Sequence, residues 1–294
     1  MTIRHIRIFL GVCDHGCNTT RAAQALHMTQ PAVSLAIREL EAYYGVRLFD
    51  RIGRRLALTE AGQRFQEYSR RIAALFDDME RELRNPDGLG LLRVGASITI
   101  GTQFLPHYIK AFSQRYPKVD VRAEVISSDR LEDRLLSNAL DFALMEEVPR
   151  SPAIRSEPYM EDRLAVICPK DGPFRQGQVL SVEQFQTQRL LLRERGSGTR
   201  EEFERVMAAV NLTVEPVWEA MSTTALVSAV SCGLGIAVLP YRMVLEPLKR
   251  GLVSEIRVEG LEFRRSFRIA FHKDKYLTPL ARAFLDLCRQ YQAD

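Results

Sequence analysis

The sequence predicts an α-helical winged helix-turn-helix unit at the N-terminus, a long linker helix after it, and an α/β domain over the rest of the chain. Three observations predict this. Asn18 to Leu40, NTTRAAQALHMTQPAVSLAIREL, reads as two short helices joined by a tight turn. From Leu58 to Met79, apolar residues recur in steps of three and four without a miss. From Leu89 onward, short apolar strands alternate with helices.

The elements follow in order. Ile3, Ile6, Phe9 with Leu10, and Cys13 share one side of an amphipathic helix, Ile3 to Asp14, which Gly16 ends. Asn18 or Thr19 opens the next helix, where Ala22, Ala23 and Leu26 are small, close-packing positions, and His27-Met28 makes the turn. Thr29 is placed to cap the following helix, and Pro31 sits in its first turn, where a missing N–H does no harm. Val33, Ile37, Leu40 and Tyr44 form its apolar face. On a neighbouring face Gln30, Ser34 and Arg38 stack at intervals of four. They offer an amide, a hydroxyl and a guanidinium able to reach base edges and phosphates, or simply a solvated face. The segment VRLFDRIGRRLALT has strand-like residues either side of Gly53, a two-stranded wing with Arg51, Arg54 and Arg55 near its tip, or an ordinary surface hairpin.

Leu58, Ala61, Phe65, Tyr68, Ile72, Leu75 and Met79 make a heptad seam longer than a helix needs to cover a core, which implies pairing of two chains. The alternative is a helix packed on its own chain. Asn85-Pro86-Asp87-Gly88 stops this helix and supplies a hinge.

In the last two-thirds, strands are expected at Leu91–Gly95, Val119–Val125, Asp141–Met145, Leu164–Cys168, Leu190–Arg193, Val214–Trp218, Gly235–Leu239 and Phe267–His272. Helices are expected at Thr99–Tyr116, Arg130–Ala139 and Pro279–Gln290. The sheets should be mainly parallel, with ligands gathering where strands end and helices begin. Three such corners carry hydroxyls: Ser97 with Thr99, Ser197-Gly198-Thr199, and Ser222-Thr223-Thr224. If they converge, their free N–H groups and small side chains would bind a small anion. Otherwise each set caps its own helix. Arg195 and Arg200 flank the middle set, as further donors or as surface residues.

Composition bounds the function. With 294 residues, 46% hydrophobic and 27% charged, the chain is an ordinary globular protein of two or three domains. Its net charge is +4, and residues 1–86 hold 13 Arg, no Lys and 10 Asp plus Glu. Arg47, Arg51, Arg54 and Arg55 lie within nine residues against the single Asp50, and Arg suits fork-shaped donation to phosphate. The five cysteines, Cys13, Cys17, Cys168, Cys232 and Cys288, are scattered among apolar neighbours, as in a cytoplasmic protein with reduced thiols. Arg4, His5 and Arg7 interrupt the N-terminal apolar residues, so no signal peptide is expected, and Ala225–Pro240 is too short and interrupted to span a bilayer. No Ser-His-Asp order and no metal-ligand spacing emerges from His5, His15, His27, His107 and His272, so neither an enzyme nor a metal site is expected.

RAAQALHMTQPAVSLAIRELEAYYGVRLFDRIGRRLALTEAG, a run without a gap, resembles the N-terminal signature of LysR-type transcriptional regulators. The runs Glu194–Arg200 and Ser231–Pro240 (SCGLGIAVLP) resemble effector-domain segments of the same family. The resemblance implies a winged helix-turn-helix domain (1–58), a dimerisation helix and hinge (59–88), and a periplasmic-binding-protein-like, two-lobed effector domain (89–294). Lobe 1 would take about 89–161 and 266–294, and lobe 2 about 162–265, with crossing strands near Glu157–Arg163 and Phe263–Phe267. It further implies that Thr29, Gln30, Pro31, Ser34, Leu35 and Arg38 face DNA, with Arg51, Arg54 and Arg55 along phosphates. Leu35 stands where many members carry Arg, Lys or Gln, so contact with a thymine methyl is the expected substitute. Ser97, Thr99, Ser127, Ser128, Ser197, Thr199 and Thr223 are the effector-facing candidates.

The partners so implied are double-stranded promoter DNA, a small anionic metabolite, further copies of the chain as homodimer or homotetramer, and RNA polymerase. No membrane and no cofactor is expected. The alternatives are a cytosolic enzyme holding a phosphorylated or carboxylate substrate at the GSGTR loop, a solute-binding protein, and a thiol-based redox sensor using Cys168 and Cys232.

Overall fold

Helix α1 (Ile3–Asp14) ends where Gly16 takes a left-handed conformation, φ +69°. A computed structural model describes residues 1–52, 55–84 and 90–291, and divides the chain into two units, Met1–Gly88 and Leu89–Asp294. In the first unit, Asn18 caps α2 (Thr19–Ala25) by accepting from the backbone N–H of Thr20 and Arg21, each at 3.0 Å. His27, φ +52°, turns the chain into α3 (Gln30–Tyr44). Thr29 stands at the N-cap of α3, but its hydroxyl makes no capping bond, which corrects the sequence expectation. Val33, Ile37 and Leu40 are buried with Phe9 and Ala22 in the three-helix core, whereas Tyr44 is exposed. The helix has by then run past that core, and Tyr44 packs edge-on against Tyr43 and Phe65 instead.

Strands β1 (Phe49–Ile52) and β2 (Arg55–Leu58) pair antiparallel with Phe49 opposite Leu58 and Ile52 opposite Arg55. Glu41 of α3 anchors this wing. Its Oε1 accepts from the backbone N–H of Leu48 (2.8 Å) and Phe49 (3.2 Å). Thr59 then caps α4 (Glu60–Arg84), accepting from Gly62 N–H at 2.9 Å while donating to the Arg47 carbonyl at 2.7 Å. A Cβ on Gly62 would lie 2.0 Å from the Leu48 carbonyl oxygen, so glycine is what lets the helix start approach the wing. Helix α4 packs on α1 through buried Ser69 and Ala73, with Arg70 bonded to Asp14 and Arg7 to Asp77. Its seam residues Tyr68, Ile72, Leu75 and Met79 are exposed. The expected hinge, Asn85–Gly88, lies outside the described residues.

The second unit is built on a sheet whose strands are β3 (Leu91–Ala96), β4 (Asp120–Val125), β5 (Phe142–Met145), β6 (Ile154–Pro169), β7 (Val179–Leu180), β8 (Leu190–Arg193), β9 (Trp218–Ala220), β10 (Ile236–Pro240), β11 (Val253–Val258) and β12 (Arg264–His272). Its helices are α5 (Ile98–Gln103), α6 (Leu105–Arg115), α7 (Ser128–Leu136), α8 (Val182–Gln186), α9 (Gly198–Ala209), α10 (Thr223–Ser231), α11 (Tyr241–Lys249) and α12 (Pro279–Gln290). The strand order is β4-β3-β5-β12-β6-β10-β8-β9, with β11 paired to β6 and β7 to β11. Strands β4, β3 and β5 are mutually parallel, as are β10, β8 and β9, while the joining strands β6 and β12 run antiparallel to their neighbours. In the 16-residue β6, Ile154 to Arg163 pair with β12 and Leu164 to Pro169 with β10 and β11. Two parallel-sheet lobes therefore hang from a shared pair of crossing strands. Phe142–Met145 and Leu190–Arg193 are buried throughout, as strands covered on both faces must be.

The helix expected at Thr99–Tyr116 is two helices broken at Phe104, because Pro106 has no N–H to continue the ladder of α5. The strand expected at Val214–Trp218 begins only at Trp218, since Pro216 cannot donate to a ladder. The helix expected at Arg130–Ala139 starts earlier, at Ser128, and Asn138 follows its end in a left-handed turn, φ +55°.

Candidate functional site

In the N-terminal unit, Gln30 and Arg38 are exposed and Ser34 is half-buried between them on α3. Ser34 is bonded to both of the others. Gln30 Nε2 donates to Ser34 Oγ at 2.8 Å and to Thr19 Oγ1 at 3.2 Å, and Arg38 Nε donates to the Ser34 carbonyl at 3.4 Å. This holds the row in extended register while leaving the remaining guanidinium nitrogens for an outside acceptor. Thr29, Pro31 and Leu35 are exposed beside the row, Leu35 at 51%. Arg51 is exposed on β1; Arg54 and the side chain of Arg55 lie outside the described residues.

In the C-terminal unit, the helix-start hydroxyls gather around a residue that the sequence reading passed over. Glu146 follows directly on β5 and is buried. Its Oε1 accepts from Ser97 Oγ (2.8 Å) and Thr99 N–H (3.2 Å), and its Oε2 from Arg265 Nη1 (2.5 Å) and Thr199 Oγ1 (3.4 Å). Arg265 stands opposite Asp162 in the β12–β6 ladder and reaches Asp162 Oδ2 at 2.8 Å; none of the three side chains is more than 3% exposed. A Cβ on Gly198 would sit 2.7 Å from Glu146 Cβ and 3.4 Å from Ser128 Oγ, so the start of α9 presses directly on the end of β5.

Arg193, buried, pairs with Glu194 (2.7 Å) and reaches Thr223 Oγ1 at 3.4 Å. Ser197 caps α9 through the Arg200 N–H, and Ser222 caps α10 through the Ala225 N–H. Ser127 stands at the N-cap of α7 without a side-chain capping bond. Arg200 is buried and bonded to Glu204, with its Nη1 unbonded, whereas Arg195 is exposed. The structure thus brings Ser97, Thr99 and Thr199 onto one carboxylate, sets Ser128 beside them, and links Thr223 to Arg193. Ser127 and Ser197 make no bond to Glu146.

Burial alone would raise the Glu146 carboxyl, but Arg265, the Ser97 and Thr99 donors and Arg193 outweigh it and hold Glu146 below the usual range. Asp162 goes the other way, because burial and the neighbouring Glu146 charge outweigh Arg265. Glu147 is pushed up to about 7 by burial and by Glu201. Among the thiols, burial and Cys17 push Cys13 up to about 12, so it is a poor thiolate. Cys168 is buried and Cys232 exposed, which gives the two no shared environment. Among the described residues no His/Cys/Asp/Glu group could hold a metal, and no helix is long and apolar enough to cross a membrane.

Residues 3–63 match the model of the bacterial regulatory helix-turn-helix protein, lysR family, and residues 87–293 match that of the LysR substrate binding domain. The chain belongs to the LysR family. It is a DNA-binding transcriptional regulator with a two-lobed effector-binding domain. It is 33% identical to the RuBisCO operon transcriptional regulator of Allochromatium vinosum, over 97% of this chain and 94% of that one. Its fold resembles full-length CbnR complexed with its target DNA, at TM-score 0.65 and 23% identity, over 99% of each chain. It also resembles the regulatory domain of Synechocystis PCC6803 CcmR in complex with 2-PG, at TM-score 0.63 and 24% identity, over 68% of this chain and 96% of that domain.

The residues that sequence reasoning missed in this LysR-type domain are Glu146, Glu147, Asp162, Arg193 and Arg265. A signal existed for the first two, an acidic pair closing the apolar run FALM at the C-terminal end of a strand, where ligands of open α/β sheets gather. Arg265 and Asp162 carry no local signal, because 103 residues separate them and only the β12–β6 register makes them neighbours.

Proposed function

We propose that this regulator binds double-stranded promoter DNA in the cytoplasm as a homodimer, itself able to pair into a homotetramer, and that a small anion in the interlobe cleft tunes transcription. Arg38, Gln30 and Ser34 read base edges or adjacent phosphates, Leu35 meets a thymine methyl, and Thr29, Pro31 and the wing arginines Arg51, Arg54 and Arg55 position the head. The observation that carries this reading is the row on α3, in which Gln30 and Arg38 are exposed on either side of the half-buried Ser34 and are bonded to it.

Dimerisation is supported by the open seam Tyr68, Ile72, Leu75 and Met79, which continues into an apolar groove lined by Tyr44, Val46, Phe65 and Tyr68. Two heads on one dimer would face two half-sites, and RNA polymerase would meet the complex at the promoter. An anionic effector is supported by the hydroxyl, amide and guanidinium donors around Glu146, a set that already suits an oxyanion. The 2-PG held by the CcmR regulatory domain makes 2-PG a first ligand to test.

The test is a gel shift on the DNA upstream of the coding sequence, with and without 2-PG and other small anions. Arg38→Ala should weaken binding by roughly 1–3 kcal/mol, and Arg54→Ala with Arg55→Ala should lower the salt slope by about 2. Unchanged affinity and salt slope in these variants would refute the DNA-facing assignment.

A further inference from the structure

The point where the helix-start donors of α5 and α9 converge is filled by the protein's own carboxylate. We propose that Glu146 is an internal ligand of the effector cleft, an oxyanion tethered to lobe 1 that occupies the place of the effector's anionic group. It would bridge the lobes until an external oxyanion exchanges with it. This rests on the reading of the cleft as the effector site and adds a competitor that the effector must displace.

The geometry carries the inference. Each oxygen of Glu146 is spoken for, and by groups from different parts of the unit. Oε1 is held at the start of α5 by Ser97 Oγ (2.8 Å) and Thr99 N–H (3.2 Å). Oε2 is held by Arg265 Nη1 (2.5 Å) on the crossing strand and by Thr199 Oγ1 (3.4 Å) at the start of α9. Such a bridge is what a bound carboxylate supplies in a closed two-lobed cleft. Arg265 also donates to Thr199 Oγ1 at 3.2 Å, so crossing strand, lobe 2 and carboxylate form one closed network. Gly198 lies close over Glu146, where an added Cβ would come within 3.1 Å of Oε2.

Two consequences define the ligand class. The exchanging group must present at least two oxygens on one atom, as a carboxylate, sulfate or phosphate does, because it must satisfy both sets of donors. A halide or a neutral amide offers only half of that. The side chain is also in competition at very high effective concentration, so an anion that binds weakly in bulk cannot displace it.

The experiment compares the full-length wild type with Glu146→Ala and Glu146→Gln, by thermal unfolding and calorimetry, with formate, acetate, sulfate, phosphate or chloride at matched ionic strength. Glu146→Ala should be destabilised, and formate or acetate should restore its melting temperature with an affinity on the order of tenfold or more above that for wild type. Glu146→Gln, which keeps the shape, should fold and also bind oxyanions more tightly than wild type. Chloride should do neither, and Ser97→Ala in the Glu146→Ala background should abolish the rescue. If wild type takes up the same oxyanions as tightly as both variants, the internal-ligand proposal is overturned while the cleft remains an anion site. If no oxyanion, 2-PG included, binds any of the three proteins, the cleft reading falls and the proposal with it.

Discussion

Replacing Arg265 by Met removes the cation from the crossing strands while keeping most of the side-chain volume. In the wild type that guanidinium lies 2.5 Å from Glu146 and 2.8 Å from Asp162, with all three side chains at most 3% exposed. The variant leaves two carboxylates in one buried site without the cation that pairs with both. Removing one partner of a buried ion pair costs about 3–5 kcal/mol. For a unit of this size that corresponds to a fall of roughly 6–20 °C in melting temperature. The cost should depend on pH with a definite sign. Burial already raises Asp162 and is the largest influence on Glu146, so loss of Arg265 should carry both carboxyls upward; protonation would then favour the folded form, and the penalty should shrink as the pH falls. Urea unfolding at pH 5 and pH 8 provides the assay, followed by the fluorescence of Trp218, the only Trp, which lies in the C-terminal unit. A loss below about 1 kcal/mol at pH 8, or a loss independent of pH, would refute the account of the triad as a charge-balanced unit. Adding Glu146→Gln and Asp162→Asn to Arg265→Met should recover much of the stability, since no buried charge is then left unpaired.

Three further outcomes follow from other parts of the molecule. Gly62→Ala should destabilise the N-terminal unit by roughly 1–3 kcal/mol and weaken DNA binding, because its Cβ would meet the Leu48 carbonyl at 2.0 Å; urea unfolding with a paired gel shift checks both. Glu147 has a folded pKa raised from 4.5 to about 7, so it adds stability below pH 4.5 that is lost as the pH rises to about 7. Glu147→Gln should therefore be more stable than wild type at pH 8 and lose that advantage below pH 4.5, in thermal melts across that range. Leu75→Glu puts a charge in the exposed seam of α4 and should shift the chain from dimer to monomer in light scattering; an unchanged mass would mean that the seam is not the contact.

Much of the architecture was legible because its determinants are local. Gly16 and the Asn18–Thr19 pair act within a few residues of themselves, so the end of α1 and the start of α2 could be placed locally, and α3 from its periodicity. The apolar run Leu190–Arg193 and the helix Pro279–Gln290 emerged with the expected bounds for the same reason. Two errors came where one residue's missing N–H overrode an apolar pattern, at Pro106 and Pro216. The short β7 and the longer β11 were not anticipated, because β11 is held by pairing to β6 from more than eighty residues away.

The sequence by itself determined a helix-turn-helix with a polar row on α3, a long helix with a regular apolar seam, and hydroxyl-rich corners at strand ends. All of these arise from spacing along the chain, which survives without knowledge of the fold. Only the tertiary structure decided what those corners surround. Ser97, Thr199 and Arg265 come from three distant segments, and the strand register of β6 and β12 with the packing of α9 on β5 makes them neighbours. It also showed that the anion at their centre is Glu146, a residue whose meaning depends wholly on what folding places around it: a carboxylate can stay charged in a buried site only where donors from elsewhere in the chain converge on it.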